Sequence, residues 1–252
     1  AGLPARTSVQ EADMPEKRER IWELDALRGF CILCVIFIHF MFDLGFFFGK
    51  ELHFPPLYTF IQQYGGAIFV ILSGCCATLG SQSFRRGALV FACGMLITLV
   101  TWGMYLLHMA GADVVVKFGV LHLLGICMML YPLFKKLPTA AICAVSAVCI
   151  VVGYLLQGMV FEVRWLFPLG VLYPGFTSSD YFPVFPQLGW FLLGVVLGRT
   201  FYREKRTLLP GRAQDFFLLR FFRWCGRHSL WIYLLHQPLV YGVLELIAAL
   251  KK

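Results

Sequence analysis

Charge is what this chain has least of: only 14% of its 252 residues are Asp, Glu, Lys or Arg, while 59% are hydrophobic and the mean hydropathy is +0.74. So much apolar surface exceeds what a water-soluble globule of this length hides, so a soluble enzyme is excluded and the bilayer must act as solvent. Extended polar loops are missing too, and no His/Glu pair falls at metal-ligand spacing on one helix, so no metal is expected. The polar stretch 1–14 lacks the apolar core of a secretion signal and reads as a tail rather than a cleaved leader. Residues 1–20 are set apart as a polar tail, and 21–252 as a single transmembrane domain.

What is abundant fits that exclusion. Aromatic residues make up 16% of the chain, 25 of them Phe, and they crowd apolar stretches of spanning length. The nine Cys lie almost all inside those stretches, where a thiol behaves as a small hydrophobe. Cys31 and Cys34 have redox-motif spacing but sit within a span, which favours packing.

Runs of apolar residues predict spans at 29–48, 64–79, 87–108, 118–134, 137–156, 183–197 and 229–250. Segment 162–181, interrupted by Arg, Pro, Gly and Ser-Ser-Asp, is expected to lie at the interface or re-enter. Residues 199–227 are basic, and their 215–223 portion alternates Phe and Leu with Arg as an interfacial helix does. The expected fold is all-α: a polytopic bundle of about seven spans with interfacial or re-entrant helices.

Seven spans place Lys17, Arg18, Arg20, Arg85, Arg86, Lys135, Lys136 and the 199–227 basic residues on one side. The other side holds Lys50, Lys117 and Arg164 before the terminal Lys251 and Lys252. The Lys and Arg excess marks the cytoplasmic face, so the amino terminus is expected inside and the carboxyl terminus outside. The compact loops suggest a bacterial cytoplasmic membrane. Topology and anionic lipid account for the net charge of +8 without any nucleic acid.

Polar side chains inside spans are costly enough to mark function. The first span carries Asp25 and Arg28 at its inner end, His39 near the middle and Asp43 one turn further out. His39 and Asp43 are an i, i+4 pair with the shape of a general base and an orienting carboxylate. Equally, Asp43 meets the outer interface and His39 bonds a neighbouring helix. Asp25 and Arg28 form either a helix-start ion pair or part of a phosphate site at the inner leaflet. His122 opens the fourth span between two glycines, and His236 lies two turns into the last span ahead of Gln237 and Pro238. Each serves a helix-to-helix bond or the chemistry directly. His53 falls in an outer loop, solvated or reaching back over the bundle mouth, and Ser73 reads as a packing residue rather than a nucleophile.

These residues sit in blocks that resemble a known family. Trp22-Glu-Leu-Asp-Ala-Leu-Arg-Gly29 with His39 and Phe42-Asp-Leu44, Gly66 to Gly74, Phe118 to Gly125, Asp180 to Pro186 and His228 to Pro238 are similar, in order, to signature segments of the heparan-alpha-glucosaminide N-acetyltransferase-like membrane family. Arg28 and His39 also match the arginine, ten residues, histidine pattern of the related membrane acyltransferases that modify sugars and surface polymers.

The resemblance implies acetyl or another acyl group delivered by acyl-coenzyme A on the cytoplasmic side to a hydroxyl or amine of a glycan or other small acceptor. It implies His39 as catalytic imidazole. The lysosomal branch implies instead a histidine in the loop after the first span, for which His53 stands at a different spacing. Arg28, with Asp25 beside it, Arg85 and Arg86 become the candidates for the coenzyme phosphates, followed by Arg199. His122, His236, Gln237, Tyr64 and Gln63, with Gln62, are candidates to hold the acceptor. A thioester needs only a base for the acceptor and donors for its oxyanion, and an acyl-carrying imidazole halfway across the bilayer also fits. A homodimer is left open.

Two rivals from other classes stand beside this. In a solute or proton-coupled transporter, Asp43, His39, His122 and His236 would relay protons, although no inverted repeat joins the halves. A scaffold without chemistry would be indifferent to alanine at His39.

Overall fold

The computed structural model describes residues 20–48, 56–209 and 216–250. Among the described residues eight α-helices follow one another: α1 Trp22–Phe48, α2 Pro56–Leu79, α3 Ser83–Leu106, α4 Val120–Phe134, α5 Thr139–Leu156, α6 Val184–Phe201, α7 Phe217–Arg227 and α8 Ser229–Leu250. Six of them, all but α4 and α7, are long and apolar enough to cross a membrane. Together with the shorter apolar α4 they trace the expected seven-pass path, and the all-helical expectation is borne out.

Several helices begin earlier than hydropathy predicts. α1 starts at Trp22 rather than 29 because its polar first turns are covered: Asp25 is buried, and Arg28 (3.4 Å) and Arg227 (3.7 Å) reach its carboxylate. α2 starts at Pro56, two turns before 64, with proline in the first helical turn, where its missing N–H costs nothing. The segment 162–181 does not cross. It holds only a short 3₁₀ turn, Arg164–Leu169, and isolated bridges from Val160 to Leu172 and from Phe118 to Tyr181.

With lipid on the outside, close packing rather than water exclusion holds the helices together, and small residues allow it. α6 is central, touching α2, α4 and α5, and its Phe191, Leu192 and Val195 are fully buried. Gly194 of α6 and Gly74 of α2 let these two helices meet backbone to backbone: a Cβ on either would collide with the Ile71 or Phe191 carbonyl. α1 lies on α7 in the same way, with Gly29 against the Phe222 carbonyl.

One end of the bundle is the basic end. The start of α1 meets the end of α2 through Arg28 and Cys76, and meets the loop after α6 through Glu23, which accepts from Thr207 (2.7 Å) and the Leu208 N–H (2.8 Å). Arg199 at the end of α6 donates to the carbonyls of Phe134, Lys135 and Leu137 in the α4–α5 turn. From the opposite end, residues 114–118 and 178–182 are clamped together above α4. The Lys117 N–H donates to Ser178 Oγ, Ser179 donates to the Val114 carbonyl, and the Phe182 N–H donates to the Phe118 carbonyl.

Candidate active site

A cavity of about 290 Å³ opens between α1, α2, α3, α4 and α8. Its walls include Arg28, Ser73, Cys76, Arg86, Ser229 and Tyr233. The two arginines belong to the basic end, and Leu121 and Leu124 in the first turns of α4 line its far part. Arg28 is half-buried and held in place: one guanidinium nitrogen faces Asp25 and the other donates to Cys76 Sγ at 2.7 Å. Ser73 donates to the Phe69 carbonyl, four residues back along its own helix, as a packing residue does.

Beside the cavity, α1 and α8 bring four of the predicted residues together. The His39 and His236 rings lie 5.0 Å apart, centroid to centroid. Gln237 Nε2 donates to Asp43 Oδ2 at 2.9 Å. Asp43, 6% exposed, and His236, 7% exposed, are both buried. The expected His39–Asp43 pair is rearranged: no hydrogen bond joins them among the described residues, because the Asp43 carboxylate turns to Gln237 while His39 packs on His236.

Tyr233 links this group to the cavity. It lines the cavity wall, its ring lies 5.3 Å from that of His236, and its hydroxyl donates to Asp180 Oδ2 at 3.2 Å. The same oxygen accepts the Val120 N–H at 3.0 Å, so Asp180 caps the start of α4. Burial raises the Asp180 carboxyl above its ordinary range, against the two hydrogen bonds that favour its charge. Burial likewise pushes the neighbouring Tyr181 hydroxyl up to about 12, and that hydroxyl donates to the Phe167 carbonyl. Neither Asp180 nor Tyr233 stands out as a site residue in the sequence. Their only common signal is membership of two separate signature blocks, since the bond between them spans 53 residues.

Other expected residues lie elsewhere. His122 is buried where α3 meets α4, stacked on Phe118, with both ring nitrogens in hydrogen-bond contact with neighbours. Asp25 holds Arg28 and Arg227, Arg199 is engaged by the α4–α5 carbonyls, and Arg85 is exposed beside the cavity-lining Arg86. Gln62, Gln63 and Tyr64 are exposed on α2, Tyr64 against Phe60. His53 lies outside the described residues. Among the described residues no group of three or more His, Cys, Asp or Glu could hold a metal ion, and all nine cysteines are free.

A bundle of apolar helices with a partly buried polar cluster between two of them and an arginine-lined cavity alongside defines an integral, multi-pass membrane protein built around an internal site. Residues 20–238 match the family described as Heparan-alpha-glucosaminide N-acetyltransferase, catalytic, and the chain belongs to that family. It is therefore a transferase, a membrane acetyltransferase, as the signature blocks imply. No curated protein and no solved structure matches it.

Proposed function

We propose that the protein takes an acetyl or other acyl group from acyl-coenzyme A at its basic end and passes it to a hydroxyl or amine of a sugar-like acceptor. His39 serves as base or acyl carrier. The observation that carries this reading is the cavity itself, which has guanidinium groups at one end and, on its wall, a tyrosine whose ring lies against that of buried His236, the neighbour of His39. A volume of about 290 Å³ is small for a ligand site and suits a narrow pantetheine arm, with the phosphates left at Arg28 and Arg86. Apolar walls keep water from the thioester. An imidazole supplies the base, and a thioester asks for little more.

The Lys and Arg excess supports a cytoplasmic basic end, with the amino terminus inside and the carboxyl terminus outside, in a bacterial cytoplasmic membrane. Anionic lipid is then the partner of basic α7, and acyl-coenzyme A that of the cavity, with no nucleic acid involved and self-association into a homodimer compatible with the bundle.

Binding and turnover of radiolabelled acetyl-coenzyme A by purified protein test this reading. His39→Ala is expected to lower turnover about 10²- to 10⁴-fold, the usual range for a lost acid–base group, and His53→Ala to leave it near wild type. Binding by no version would defeat the acyltransferase reading and favour a solute carrier.

A further inference from the structure

The two histidines buried in α4 and α8 hold opposite tautomers, and only one keeps a nitrogen open. At His122, the Gly119 N–H donates to Nδ1 at 3.2 Å, so Nδ1 is bare and the ring proton is on Nε2. That proton points to Thr98 Oγ1 at 3.3 Å, and the threonine hydroxyl donates onward to the Val116 carbonyl at 2.7 Å. Every donor and acceptor there is used, which makes His122 a clasp between α3 and α4.

At His236 the order is reversed. Nδ1 lies 2.6 Å from the Tyr233 carbonyl, and a carbonyl only accepts, so Nδ1 carries the proton and Nε2 is the bare nitrogen of the neutral ring. His236 is more than nine-tenths buried, and Nε2 has no hydrogen-bond partner among the described residues. The next side chain repeats the pattern: Gln237 donates through Nε2 to Asp43, while its Oε1 is buried and unpartnered. Two adjacent acceptors on one turn of α8 thus lack donors. A buried polar atom left unpaired is costly, a cost a folded protein retains where a ligand offsets it. What both atoms lack is hydrogen, so the matching ligand is an amine or hydroxyl that donates twice.

We propose that His236 is the general base of the transfer, which leaves His39 the acyl carrier, with the Tyr233 carbonyl fixing the His236 tautomer and Gln237 Oε1 taking the acceptor's second hydrogen bond. This rests on the acyl-transfer reading above. In the first step a His39 ring nitrogen bonds to the acyl carbon as its bond to the coenzyme A sulfur breaks, leaving the thiolate. In the second, the acceptor nitrogen or oxygen bonds to the acyl carbon as that carbon's bond to the His39 nitrogen breaks. The bonding pair departs with the leaving atom. The acceptor's proton goes to His236 Nε2, giving an imidazolium whose Nδ1–H stays on the Tyr233 carbonyl, and it then passes to the coenzyme A thiolate. Acyl-coenzyme A and acceptor become acylated acceptor and free coenzyme A. Tyr233 is a positioning residue, its ring steadied by the hydroxyl bond to Asp180.

Two measurements test the assignment. Nitrogen-15 NMR of histidine-labelled protein in nanodiscs, with the His236 signals identified by their loss in His236→Gln, is expected to show a protonated Nδ1 and a bare Nε2. A protonated Nε2 at neutral pH would overturn it. Kinetically, His236→Gln is expected to bind acetyl-coenzyme A as wild type does, which shows that it folds. It should transfer to glucosamine at least about 100-fold more slowly, and recover to within about tenfold of wild type with hydroxylamine, a strong nucleophile that is uncharged at neutral pH and needs little help from a base. Equal losses with both acceptors, or no loss with either, would refute the base role while acyl transfer itself stood. A wild-type protein that consumes no acetyl-coenzyme A with either acceptor would defeat the underlying acyltransferase reading instead.

Discussion

Asp180 shows how much one side chain holds together here. Its carboxylate oxygen receives the first N–H of α4 and the hydroxyl of a tyrosine on α8, and both donors are neutral. Burial therefore outweighs them, and the folded protein binds the Asp180 proton more tightly than the unfolded chain does. With the folded pKa raised, the group's contribution to stability is full below the ordinary carboxyl pKa and is lost as pH rises through the raised value. Asp180→Asn keeps an acceptor for the Val120 N–H and abolishes the titration. Its Tm is expected to fall less than that of wild type between about pH 4 and pH 7, starting at the ordinary carboxyl range. Parallel Tm profiles would show that the carboxyl does not titrate in that window. The residues a reader can pick out unaided are His39, Asp43, His236 and Gln237, because polarity inside an apolar run is itself a signal. Their pairing is not readable: whether Asp43 orients His39 or bonds Gln237 depends on the rotation of α1 against α8, which spacing along one helix does not contain.

At the scale of the helix, packing depends on a few positions without side chains. Gly194→Leu is expected to cost about 1–3 kcal/mol of overpacking where α6 crosses α2, read as a shift in unfolding by denaturing detergent. Gly103→Ala in α3, where a Cβ meets nothing within 4 Å, is expected to be neutral or slightly stabilising. Similar losses for both would mean that the α2–α6 crossing is not a tight contact. Hydropathy locates every span, since twenty apolar residues have few alternatives to a bilayer. It fails at the ends. The first turns of α1 hold Glu23, Asp25 and Arg28, which look like loop until Arg227 and the 202–209 loop, nearly 200 residues away, bury and bond them.

For the molecule as a whole, the clustering of arginine and lysine at one end makes orientation testable. In a background without native cysteines, Arg164→Cys at the opposite end is expected to react with an impermeant thiol reagent in intact cells, and Lys136→Cys only after permeabilisation. The reverse labelling would invert the protein and place the arginine-lined cavity on the outer face. The seven-pass path was legible in sequence. The cavity was not, since its walls come from five helices that hydropathy treats separately.

Helix α4 has fifteen residues, about 22 Å, against a hydrocarbon core about 30 Å thick. The difference, about 8 Å, is met by local thinning of the bilayer on the side away from the arginines, where the clamped segments 114–118 and 178–182 bond their backbone within the protein. The insulating slab is then thinner beside α4 than beside the six longer helices. A membrane voltage, worth about 2.3 kcal/mol per charge for every 100 mV, then drops over a shorter path, so the electric field is steepest beside α4.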